Sequence, residues 1–215
     1  MLAYLCPLIL LILGNGLCLL GEESDPWNQF RGPNGSGIRE DADIEIPTMD
    51  GLLWKTPLPS GLSCPVLFGD RIFLTGFEKN RLVTLALDIK SGKVIWKKNA
   101  PKVEIERFHA SGSPATPTPF AERDRLFVYF GSFGLLCYDH EGKELWRKPL
   151  PTPRSLYGTS CSPIAYGEML ILVTDDDANL PDSKVSRSRI LALSKKTGRT
   201  LWERHRPFHR SGWST

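Results

Sequence analysis

Four tryptophans stand in nearly the same surroundings, and that repetition limits the fold more than any other feature of the chain. The segments are "LLWKTPLP" at Trp54, "VIWKKNAP" at Trp96, "ELWRKPLP" at Trp146 and "TLWERHRP" at Trp202. In each, a branched aliphatic precedes the tryptophan (Leu53, Ile95, Leu145, Leu201) and a proline follows five residues later (Pro59, Pro101, Pro151, Pro207). Spacings of 42, 50 and 56 residues between the tryptophans are those of an array of four-stranded units.

The last three tryptophans have a glycine four residues upstream, Gly92, Gly142 and Gly198, each preceded by a strand-like run: "RLVTLALD", "GLLCYD" and "RILALS". The unit reads strand, tight turn, strand, with glycine supplying the positive φ of the turn. Asp88 and Asp139 are placed to accept backbone N–H groups within those turns, and Ser194 more weakly. A further strand pair precedes each hairpin in "SCPVLFGDRIFLTGF", "ATPTPFAERDRLFVYFG" and "SCSPIAYGEMLILVTD". Four antiparallel strands per unit is the content of a propeller blade.

Neighbouring residues in a strand point to opposite faces. Both the tryptophan and the aliphatic before it are large and apolar in every copy, which predicts an outermost strand covered on both faces, as between two other blades. Identical placement in each repeat assigns the tryptophans to packing between blades, not to stacking on a ligand.

With that alignment made, "ALDIKSGKVIW" (86–96) resembles the tryptophan-docking motif of the pyrroloquinoline-quinone (PQQ) repeat, or quinoprotein, propellers, Ala-x-Asp-x-x-Thr-Gly-Lys-x-x-Trp. Ser91 takes the threonine position. The copy ending at Trp202 keeps Ala192, Thr197 and Gly198 but has Ser194 for the aspartate and Arg199 for the lysine. The copy ending at Trp146 is one residue shorter, with Cys137 for the alanine. "WNQFRGPNGSG" (27–37) resembles the leader of exported family members.

The resemblance implies an all-β propeller of seven or eight blades, of which about three are expected here. Its organisation reads as a signal peptide at 1–21, a leader segment at 22–53 and a partial propeller at 54–215. The propeller part divides into a closing strand at 54–59, three blades over about 60–207 and the start of a fourth at 208–215.

Residues 1–21 hold no charged side chain and include "PLILLILG", a secretory-signal pattern that points to a periplasmic or secreted protein. An uncleaved membrane anchor is the alternative, opposed by Pro7, Asn15 and Gly16. Leu17, before Cys18, argues against lipidation. Cys64, Cys137 and Cys161 form neither an even disulfide framework nor a zinc pattern and read as buried thiols. A net charge of +3 and the lack of any recognition motif exclude nucleic acid as a partner.

The family resemblance implies two different functions. One is a noncatalytic scaffold that offers loops and edges to proteins of the cell envelope, or binds a ligand. The other is a PQQ- and calcium-dependent alcohol or sugar dehydrogenase. Those enzymes carry an adjacent cysteine pair, which this chain lacks; Cys64 and Cys161 are one residue out of register, since Pro65 matches Pro163. The chain therefore reads as the scaffold, with PQQ and calcium implied by resemblance only.

No residue is assigned a catalytic, cofactor or metal role from the sequence. Asp175, Asp177 and Asn179 begin a calcium-loop pattern, but Leu180 stands where glycine is needed and Ser186 where an acidic residue should close it. That segment reads as a solvated loop. His205 and His209 flank Pro207, which removes the helical spacing a metal would use. His109 precedes the inner strand of the second unit and could reach the axial mouth. Arg199, Arg204, Arg206 and Arg210 read as a solvated basic rim.

Overall fold

The structure is a computed structural model that describes residues 26–38, 51–155, 157–176 and 187–206. Among the described residues twelve strands form three sheets of four, each a simple antiparallel meander. The first contains β1 (Val66–Phe68), β2 (Arg71–Glu78), β3 (Arg81–Asp88) and β4 (Val94–Asn99). The second contains β5 (Phe120–Glu122), β6 (Arg125–Phe130), β7 (Gly134–Tyr138) and β8 (Glu144–Pro149). The third contains β9 (Ile164–Tyr166), β10 (Met169–Thr174), β11 (Arg189–Ser194) and β12 (Thr200–His205).

Strand alternation decides which neighbour each side chain meets. In β6, Leu126, Val128 and Phe130 face the first sheet, where they join Val66, Phe73, Ala86 and Trp96. Phe127 and Tyr129 face the third sheet with Leu135, against Leu170, Leu172, Leu191 and Leu193. A strand buried on both sides carries an unbroken apolar run, and "RLFVYF" is that run. Burying one such side chain contributes roughly 1.5–3 kcal/mol, so the middle sheet is held from both faces.

Three of the four repeat tryptophans, Trp54, Trp96 and Trp146, cross to the hairpin turn of the sheet that follows them. Trp54 Nε1 donates to the Ile89 carbonyl at 3.1 Å, Trp96 to His140 at 2.8 Å and Trp146 to Lys195 at 2.9 Å. The turn glycines lie flat under the rings. A Cβ on Gly142 would come within 2.8 Å of the Trp96 ring, and one on Gly198 within 2.6 Å of Trp146. Both glycines also have positive φ, 79° and 68°, so two independent constraints select glycine there. The turns close as expected at Asp88, whose carboxylate accepts Ser91 N–H at 2.7 Å, and at Asp139, which accepts Glu141 and Lys143 N–H groups at 3.1 and 2.8 Å. Hydrogen bonds from Ser91 hold the Asp88 carboxyl below its usual range.

One expectation needs correction. The outer strands are not covered on both faces: Ile95, Leu145 and Leu201 are 46, 42 and 44% exposed. Leu145 belongs to the middle sheet, so the exposure does not come from lack of a neighbour. In a radial array the gap widens outward, and only a side chain as large as tryptophan, lying on a turn, spans it. Residues 54–59, expected as a closing strand, have no strand to pair with among the described residues. Their side chains hold them instead: Thr56 Oγ1 donates to the Gly92 carbonyl at 2.7 Å, and Pro59 lies over Gly76.

The leader runs across the innermost strands. Leu67 N–H of β1 donates to the Trp27 carbonyl at 2.7 Å, and Ala121 N–H of β5 donates to the Asn28 carbonyl at 2.8 Å. Asn28 Nδ2 returns a bond to the Ala121 carbonyl at 2.8 Å. Backbone groups that a sheet edge would leave open are thereby paired.

Candidate functional site between the second and third sheets

Ionisable groups gather at the end of the sheets away from the docking turns. Glu106, on the connection from β4 to β5, is 6% exposed. Its N–H donates to Ser132 Oγ in the β6–β7 turn at 3.0 Å, and its Oε2 accepts from Thr159 Oγ1, ahead of β9, at 2.6 Å. Gly131 makes room, since a Cβ there would meet the Glu106 carboxyl at 2.5 Å. Glu106 Oε1 has no partner among the described residues. Burial, only partly offset by the Thr159 hydroxyl, pushes its pKa up to about 7, because a charge loses more than a neutral acid on leaving water.

Tyr129 on β6 is fully enclosed, and its hydroxyl also lacks a partner among the described residues. Burial raises its pKa, and the nearby charges of Glu106, Cys161 and Asp175 add to the rise. Burial likewise raises the Cys161 thiol and takes Cys137, beneath Trp146, up to about 12. Both are poor nucleophiles at neutral pH. Cys64 is half-buried and, like them, free.

Nearer the surface, the ends of β10 and β12 are tied by charge. Asp175 accepts from Arg206, Arg154 pairs with Asp176 at 3.3 Å and Arg189 with Glu203 at 3.1 Å. Ser188 Oγ accepts Asp176 N–H at 3.0 Å. Beside these pairs lies a cleft of about 400 Å³, walled by Pro151 and Pro153 on one side and by Arg187, Arg189 and His205 on the other.

The sequence candidates separate in space. Asp175 faces a guanidinium, and Arg206, expected on a solvated rim, is its half-buried partner. His205 borders the cleft. His109 Nδ1 is 2.8 Å from Ser111 Oγ, and its ring sits 5.8 Å from that of Tyr157. Arg204 is exposed and donates to the Glu203 carbonyl at 3.0 Å. Asp177, Asn179, Ser186, His209 and Arg210 lie outside the described residues, as do the signal segment and residues 208–215. Glu106, Tyr129, Arg154 and Arg189 were not singled out from the sequence. Glu106, Arg154 and Arg189 have partners distant along the chain, and no local pattern marks them or Tyr129.

Calcium requires several converging oxygen ligands. Among the described residues no three His, Cys, Asp or Glu side chains converge, and Asp175, the best placed carboxylate, is engaged by Arg206. These residues do not fit a PQQ–calcium site.

Three antiparallel four-stranded sheets, stacked in chain order and locked by tryptophan on the following turn, define a β-propeller. The chain belongs to the PQQ-repeat family: the family model described as outer membrane protein assembly factor BamB matches residues 79–211, more than half of it. No curated protein matches the chain. Among solved structures it is similar to a europium-containing methanol dehydrogenase, with 15% identity and a TM-score of 0.50 over 72% of this chain and 26% of that one. BamB from Moraxella catarrhalis is similar at 17% identity and a TM-score of 0.47, over 74% of this chain and 44% of that one. The quinohemoprotein alcohol dehydrogenase from Comamonas testosteroni gives 14% identity and a TM-score of 0.47, over 68% and 21%. The chain spans less than half the length of each of these proteins.

Proposed function

We propose that this protein is an exported, noncatalytic propeller that serves as a binding scaffold for proteins of the cell envelope. The observation that carries the reading is how the polar groups between the second and third sheets are used. Glu106 with Thr159, Asp175 with Arg206 and Arg154 with Asp176 each join two segments of the fold. The first and last of these tie a segment outside the third sheet to that sheet's end, and the Asp175–Arg206 pair braces the third sheet itself. Among the described residues no acid–base pair is aimed at a shared point, which catalysis would require. The family model's description supports an envelope role, and the apolar, uncharged start of the chain supports export. In this reading the three sheets are consecutive blades of a longer ring. Trp202, 37% exposed where Trp96 is 9%, supports a further blade beyond β12.

Affinity capture of the full-length protein from detergent-solubilised envelopes, after crosslinking, tests the proposal. Reproducible recovery of an envelope protein, lost when exposed loop residues are altered, is expected. Recovery of none, with tight stoichiometric binding of PQQ, would overturn it in favour of a dehydrogenase.

A further inference from the structure

The cleft beside the paired charges has an excess of cations. Arg154 is balanced by Asp176 and Arg189 by Glu203, but Arg187, exposed at the cleft mouth, makes no ion pair among the described residues. Asp176 is the only carboxylate among the described lining residues. Arg189 has a second unfilled requirement: its Nε–H is buried with no acceptor among the described residues. A buried donor without a partner costs roughly 1–3 kcal/mol, and it leaves the Arg189 guanidinium with unused hydrogen-bonding capacity beside the cleft. Guanidinium groups present planar forks that match carboxylate and phosphate oxygens. The opposite wall, with Pro151 and Pro153, is apolar and conformationally stiff. A volume of about 400 Å³ is in the range of small-molecule sites.

We propose that this cleft binds a small organic anion, its carboxylate or phosphate held by Arg187 and Arg189 and its carbon skeleton against Pro151 and Pro153. Arg154, already held by Asp176, borders the anion from the facing wall, and Thr152 offers a hydroxyl beside the prolines. The site does not depend on whether the ring also binds proteins.

Calorimetric titration of the full chain with inorganic phosphate, and separately with citrate, at constant ionic strength tests the proposal. Saturable one-to-one binding of at least one probe is expected, and the stronger of the two distinguishes phosphate from carboxylate ligands. Arg187→Gln should weaken that binding about ten-fold, the loss of one charged hydrogen bond, without changing the melting temperature. Arg154→Gln probes the same cleft from the other wall and should weaken it as well. Lys90→Gln, on a docking turn, serves as the control and should leave it unchanged. Absence of saturable binding by both probes, or wild-type affinity in both cleft variants, would overturn the proposal.

Discussion

The carbonyls of His140 and Lys195 each accept two donors from the preceding sheet. His140 receives Trp96 Nε1 and Arg71, and Lys195 receives Trp146 Nε1 and Arg125, the last at 2.9 Å. Arg71 and Arg125 occupy the same register, each opening the second strand of its sheet opposite Phe68 and Glu122. In the third sheet that position is Met169, opposite Tyr166. The docking unit is therefore a tryptophan, an arginine and a glycine turn, whereas the aligned sequence displays only the tryptophan and the turn. Arg125→Met should lower stability by about 1–3 kcal/mol through loss of a charged hydrogen bond, read as a shifted denaturant midpoint. Unchanged stability would reduce the arginine to a surface residue.

At the scale of strands, equivalent rows can be followed across each sheet. Val66, Phe73, Ala86 and Trp96 form one row, and Phe120, Phe127, Cys137 and Trp146 form the next. Ile164, Ile171, Ala192 and Trp202 form the third. The first two rows lie against another sheet, while in the third Ile164 is 49% exposed. Trp96→Ala should cost about 3–5 kcal/mol, as large aromatic truncations in cores do, and Trp202→Ala under about 1 kcal/mol in this chain. Chemical denaturation of the two variants measures the contrast, and equal losses would refute the one-directional docking.

Much of this scale was legible beforehand, because turn glycines, capping aspartates and tryptophans act within a dozen residues and recur. Parity failed at Ile95 and Leu145 because alternation states which face a side chain takes, not how far away the next sheet is. Glu106 was invisible for a related reason. Its burial depends on Thr159 and Ser132, and nothing in "VEIER" signals them.

For the whole molecule, Glu106 makes the join between the second and third sheets sensitive to pH. Its folded pKa of about 7 lies above the ordinary 4.5, so the folded state holds the proton more tightly than the unfolded chain. Its contribution is most favourable below about pH 4.5 and declines as pH rises to about 7. Glu106→Gln keeps an acceptor for Thr159 and removes the titration. The variant should match the parent near pH 4.5 and exceed it by about 1–3 kcal/mol at pH 8. Thermal melts across that range check this, and parallel profiles would place the carboxyl in water.

The same ionisable groups carry the functional reading, since their use in bracing the fold sets the proposed scaffold apart from a quinoprotein enzyme. Titration of the full-length protein with PQQ in the presence of calcium, followed by calorimetry, tests that distinction most directly. The account predicts no complex that depends on calcium; a tight one-to-one complex that requires calcium, with dye-linked oxidation of an alcohol or sugar, would contradict it.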